Sequence, residues 1–104
     1  MDARLRTELW TSWASMLRVY AAAHGLNSTH HAVVEIGKDE IVLRVDTRWL
    51  RFTQDEATGS AGEQMTFALN EDGSVRIGAT TDDMDMAAER VARQMLAHPV
   101  VAVI

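Results

Sequence analysis

The longest stretch with strand character is Ile41 to Phe52, I-V-L-R-V-D-T-R-W-L-R-F, rich in β-branched and aromatic residues. Successive strand side chains point to opposite faces, so Ile41, Leu43, Val45 and Trp49 are placed on a core and Val42, Arg44, Asp46 and Arg48 in water. Past Trp49 the apolar parity changes to Leu50 and Phe52, which predicts a bulge or twist near Thr47 to Trp49, or a strand end covered on both sides.

Before this strand, Asp2 to His24 reads as an amphipathic helix with Leu5, Leu9, Trp13, Met16, Tyr20 and Ala23 on one line. Trp10, Leu17 and Ala21, with Ala14 at the edge, widen that stripe beyond half the circumference. A helix lying on one sheet needs a stripe only a little over about 100° wide. The excess predicts a second surface over Trp10. Gly25 suits a left-handed position after the helix, with Leu26 folding back. His30 to Ile36 alternates as a first strand, and Gly37 to Glu40 turns it into the second.

Thr53 to Glu63 reads as a loose loop rich in Gly, Ser and Ala. Gln64 to Asn70 is a third strand with Met65, Phe67 and Leu69 inward. Asn70-Glu71-Asp72-Gly73 is a turn, and Val75, Ile77 and Ala79 mark a fourth strand. Thr80-Thr81-Asp82-Asp83 reads as a helix start, in which a threonine caps a free amide and the aspartates face the positive end of the dipole. The helix is drawn inward along Met84, Ala88, Val91 and Met95 and stops before Pro99, which disfavours helix at His98. The tail P-V-V-A-V-I then favours a strand that joins an edge of its own sheet or another subunit.

These elements predict a single α+β domain over residues 1–104. It is a two-layer sandwich: helix, four-stranded antiparallel meander, helix, and a short fifth strand at the C-terminus.

Composition narrows the function classes. Absence of cysteine removes disulfides, thiolate catalysis and Cys-ligated zinc. There is no window of about 18 apolar residues and no apolar signal core, so a cytoplasmic chain without a membrane span is expected. The net charge of −5 concentrates in residues 52–89, where nine acids meet Arg76 alone, a local balance of −8. Such a chain does not attract phosphate backbones globally, which argues against nucleic acid. An acidic module docking on a basic protein is one alternative.

Candidate chemistry is sparse. His24, His30, His31 and His98 show no H-x-x-x-H or H-x-H pair, so no metal site is predicted. Asp82, Asp83 and Asp85 are dense, but in a first helical turn they fan around the axis, which fits capping. Arg44, Arg48 and Arg51 read as a solvated face with cross-strand pairing to Glu35. No phosphate loop or nucleophile elbow is present. No catalytic residue, cofactor or metal ligand is therefore assigned. The leading expectation is a non-enzymatic binding or adaptor domain that self-associates as a homodimer. Its interface is placed on Trp10, Ala14, Leu17 and Ala21 of the helix and on Val100, Val101, Val103 and Ile104 of the tail. A small-ligand pocket between helices and sheet, with or without catalysis, is the second reading.

Overall fold

The computed structural model describes residues 1–26 and 28–102, with side chains as far as residue 97. Helix α1 spans Ala3–Gly25. Asp2 caps it, its Oδ1 accepting the Leu5 amide at 2.7 Å. The glycine ending does not form. Gly25 stays helical, Leu26 keeps right-handed angles (φ −59°), and its amide donates to Ala22 O. Leu26 is 85% exposed and does not fold back.

Seven strands follow: β1 Ala32–Ile36, β2 Ile41–Val45, β3 Arg48–Phe52, β4 Glu56–Gly59, β5 Gln64–Leu69, β6 Ser74–Ile77 and β7 Thr80–Asp83. They lie side by side in chain order, every pair antiparallel, and curve into a half-barrel. This replaces the expected four-stranded meander with a fifth C-terminal strand, and each difference has a physical cause.

The stretch 41–52 is two strands rather than one. Asp46 and Thr47 form the turn, and Asp46 takes φ 56°, a left-handed conformation that Asp tolerates. Cross-strand partners share a face, and here they are Val45 with Arg48, Leu43 with Leu50, and Ile41 with Phe52. Inward residues are therefore odd before the turn and even after it, so the parity change is the hairpin itself. Trp49 consequently lies outward beside Arg44, and Arg48 lies inward.

The expected loop 53–63 contains β4, which pairs with both β3 and β5. Its inward residues are Ala57 and Gly59, both buried but too small to look like a core. The expected helix start at Thr80 is β7, joined to β6 by a Gly78–Ala79 turn with Gly78 at φ 62°. Ala79 thus leaves the strand for the turn. Only the last residue of that segment caps: Asp83 Oδ1 accepts the Met86 amide at 2.8 Å.

Both helices cover the concave face. The best-buried residues of α1 are Trp13, Ala14, Leu17 and Ala21; of the expected line through Leu5 and Ala23 only Trp13 is among them, and the other three come from the widened flank. The helix is rolled so that its wide flank meets the sheet, where Trp10 borders β5 and the β1–β2 turn and Arg18 reaches β1, while α2 meets the side that carries Tyr20 and His24. Trp13 stacks edge-on against Phe52 (centroids 5.3 Å, planes at 86°) and packs at 5.6 Å from Phe67. Ile41, Leu43, Val45 and Val75 complete the floor with no exposed surface.

Helix α2 spans Met84–Ala102, with Met84, Ala87, Ala88, Val91, Ala92 and Leu96 buried, while Met95, expected on the inner line, is half-buried. Tyr20 contacts Asp85 and His24 contacts Glu89, both across 65 residues. The constant offset means that α1 and α2 run in the same direction. No helix among the described residues is long and apolar enough to cross a membrane.

The expected stop before Pro99 is also corrected. Residues 99–102 continue α2, so Val100 and Val101 are helical and not strand; Val103 and Ile104 lie outside the described residues. Pro99 has no N–H, so the Met95 carbonyl four residues earlier loses its helical donor. The Arg48 guanidinium, carried inward by the 46–47 turn, donates to that carbonyl instead. Removing the charged donor from this half-buried acceptor should cost about 1–3 kcal/mol. Arg48→Met should therefore lower the urea midpoint at an unchanged slope, whereas Arg44→Met on the outer face should shift it by less than about 1 kcal/mol.

Candidate functional site

Where α2 leaves the sheet, a groove of about 360 Å³ opens towards solvent. Its walls are Leu50 of β3, Met65 of β5, Ile77 of β6, and Val91 and Met95 of α2. The alternation of the strands places the first three inward, and the spacing of 91 and 95 places both on one helix face. The rim carries Glu63, Thr80, Arg90 and Gln94.

Two rim positions follow from local sequence. Gly59 has no Cβ, and one placed there would collide with the Glu63 carboxylate, so the glycine makes room for Glu63 to fold over β4. Glu63 Oε1 accepts the Ala61 amide at 3.0 Å, which holds it there. Arg90 forms an ion pair with Asp82, an inward residue of β7. The rim thus has one fixed carboxylate and one neutralised pair around a mostly apolar wall. This is the composition of a small-molecule site: apolar lining with few placed polar groups. Sequence reading missed Glu63 and Gly59 because both sat in a segment taken as loop.

The other flank of α2 faces α1 across a polar seam. Tyr20 OH donates to Asp85, His24 Nε2 lies 2.8 Å from Glu89 Oε2, and Arg93 Nε lies 3.3 Å from the same oxygen. The hydrogen bond to Asp85, reinforced by partial burial and the carboxylate charge, raises the Tyr20 hydroxyl above its ordinary 10.0. Asp82, Asp83 and Asp85 do not converge: one pairs with Arg90, one caps α2 and one holds Tyr20.

The remaining histidines are engaged separately. His30 Nδ1 contacts Asp46 Oδ2, and the His31 amide donates to Asp46 Oδ1 at 3.2 Å. These bonds, the His30 one foremost, hold the Asp46 carboxyl below its ordinary 3.8 and brace the turn residue with positive φ. The side chain of His98 lies outside the described residues. Among the described residues, no group of three or more His, Asp or Glu side chains is placed to hold a metal ion. Arg44 pairs with Glu35 and Arg51 with Glu40 on the outer face.

The residues expected at an interface are divided. Ala14 and Leu17 have no accessible surface and Ala21 has 4%, all covered by this chain. Trp10 is half-buried, and its indole Nε1 has no hydrogen-bond partner. Val100 and Val101 lie in the last turns of α2, and Val103 and Ile104 lie outside the described residues. The chain matches no family model, no curated protein and no solved structure.

Tyr20 is the sole tyrosine, so alkaline absorbance reads this contact alone. Its folded value is raised above the unfolded one, so its contribution to stability is complete below pH 10.0 and is lost as pH climbs through the folded value. Absorbance at 295 nm should show ionisation later than in a free tyrosine, and Asp85→Asn should bring it back towards 10.0. An unshifted midpoint in both proteins would show that the seam is not closed in solution.

Proposed function

We propose that this domain binds a small, largely apolar molecule in the groove between the concave sheet and α2. The observation that carries the reading is the groove itself: about 360 Å³, walled by five apolar side chains. That volume lies at the lower end of small-molecule pockets and suits a single ring or a short acyl chain. Two of the five wall residues are methionines, Met65 and Met95, whose unbranched thioethers adapt to irregular ligands. The partly charged rim orients a ligand without demanding a strong ion pair.

Methionine methyl NMR tests this directly, because the chain has six methionines and two line the groove. Titration with toluene and with 1-hexanol should produce saturable shifts at Met65 and Met95 and leave the exposed Met86 unmoved. Thr80→Trp, which plugs the rim from an exposed position, should abolish the response while the protein stays folded. Shifts that rise linearly or spread over all six methyls would overturn the proposal.

Self-association as a homodimer is a second reading, favoured by edge strand β1. Val33 and Ile36 there each remain 44% exposed. In the ladder with β2, residues 31 and 37 bond inward, so the backbone groups of 32, 34 and 36 face the open edge. Arg18 Nη2 donates to Val34 O at 3.3 Å and occupies the middle of that edge. Sedimentation equilibrium should show a dimer at high micromolar concentration that Val33→Lys dissociates; a wild-type monomer would end this reading.

A further inference from the structure

We propose a second binding site at the opposite end of the sheet, a cleft centred on Trp10 that takes a small carboxylate carried on an aromatic or short apolar body. Two adjoining lobes, of about 250 and 300 Å³, share Arg6, Trp10 and Gln54 as common walls. The β1–β2 turn closes one lobe and the β3–β4 turn and β5 close the other, and the cleft shares no lining residue with the Met65 groove.

The lobes differ in chemistry. The one beside Phe67 and Leu69 is apolar at its base and has Asp55 on its edge. The other is lined by Arg6, Thr7, Trp10, Gly37, Lys38 and Gln54 and has no carboxylate in its wall. Among the described residues, the Arg6, Lys38 and Gln54 side chains take part in no ion pair or side-chain hydrogen bond, unlike Arg44, Arg51, Arg90 and Arg93. In a chain of net charge −5, two unpaired cations around one cleft form a local site for an anion.

Trp10 joins the lobes. Its Nε1 is buried without an acceptor, so reorienting the ring sacrifices no hydrogen bond, and an acceptor brought by a ligand would satisfy a group that is now costly. The arrangement sets the orientation. The apolar body lies beside Phe67 and Leu69. The carboxylate is repelled by Asp55 and drawn towards Arg6 and Lys38. A cation meets the reverse field, and a neutral alcohol keeps only the apolar contact.

The test is a matched series, 3-phenylpropionate, 3-phenylpropanol and 3-phenylpropylamine, followed by the indole N–H resonances in a ¹H–¹⁵N spectrum. Three tryptophans give three signals, and Trp10→Phe assigns one. The carboxylate should shift the Trp10 signal saturably and bind more tightly than the alcohol, with the amine weakest. Arg6→Gln and Lys38→Gln, both at exposed positions, should each weaken the carboxylate by about three- to fivefold, the range of one exposed ion pair, and leave the alcohol unchanged. Raising salt from low to 0.5 M should erase most of the difference between carboxylate and alcohol, as screening requires at about that strength. The proposal is overturned if alcohol and carboxylate bind equally, if neither charge variant matters, or if Met65 and Met95 respond in place of Trp10.

Discussion

Trp13, Phe52 and Phe67 meet with ring centroids 5.0–5.6 Å apart inside the half-barrel, and the rest of the structure is arranged to keep that contact dry. Phe52 ends β3 and Phe67 lies in β5, on opposite sides of β4. They can approach one another only because the strand between them presents Ala57 and Gly59 inward. A large side chain at 57 would wedge the two phenylalanines apart and leave Trp13 without its edge-to-face partner. The small residues of β4 are thus a condition for the curvature, and the curvature is what lets one helix be gripped by a sheet.

The same constraint explains where the excess apolar surface goes. A flat sheet would cover a narrow stripe of α1 and leave Trp10, Ala14, Leu17 and Ala21 uncovered. A curved seven-stranded sheet with a parallel α2 alongside hides all but part of Trp10. The polar ladder of Tyr20–Asp85 and His24–Glu89 sits at the rim of this helix pair, where the apolar stripe ends. Its spacing of four residues on each helix matches the helical repeat, so both contacts can form only if the helices keep one axial register. The seam therefore sets how α2 lies, and the way α2 lies sets the width of the groove on its other side.

The legible parts of the sequence were those whose side chains state their environment. β5 and β6 alternate large apolar residues with others, β1 and β2 do so apart from the outward Val33 and Val42, and α2 shows a helical-period inner line. β4 was illegible because its inward residues are Ala and Gly, the same composition as a flexible linker. β7 was illegible because T-T-D-D carries capping chemistry, and one of its residues, Asp83, does cap. The strand arises from pairing with β6, which no local pattern announces. The 46–47 turn left only a parity change as its trace, since Asp replaced the usual glycine at positive φ. The candidate groove was less legible still. Val91 and Met95 read as core and Met65 as core, while Glu63 reached the site only through the β4 hairpin.

Pro99 shows how one such local rule is overridden. Proline removes an amide that the helix needs, and on local grounds the helix should end before it. The override requires a substitute donor at the Met95 carbonyl, and a lysine or arginine is the side chain long enough to reach across from the sheet. Arg48 meets that need only because the turn at Asp46 has exactly two residues in it, which sends position 48 inward. A one-residue change in that turn would return Arg48 to solvent, strand the carbonyl, and remove the tie between β3 and the helix that forms one wall of the groove. A hairpin of two residues, a positive φ at an aspartate and a proline half a chain away are therefore parts of one arrangement, and the shape of the groove depends on all three.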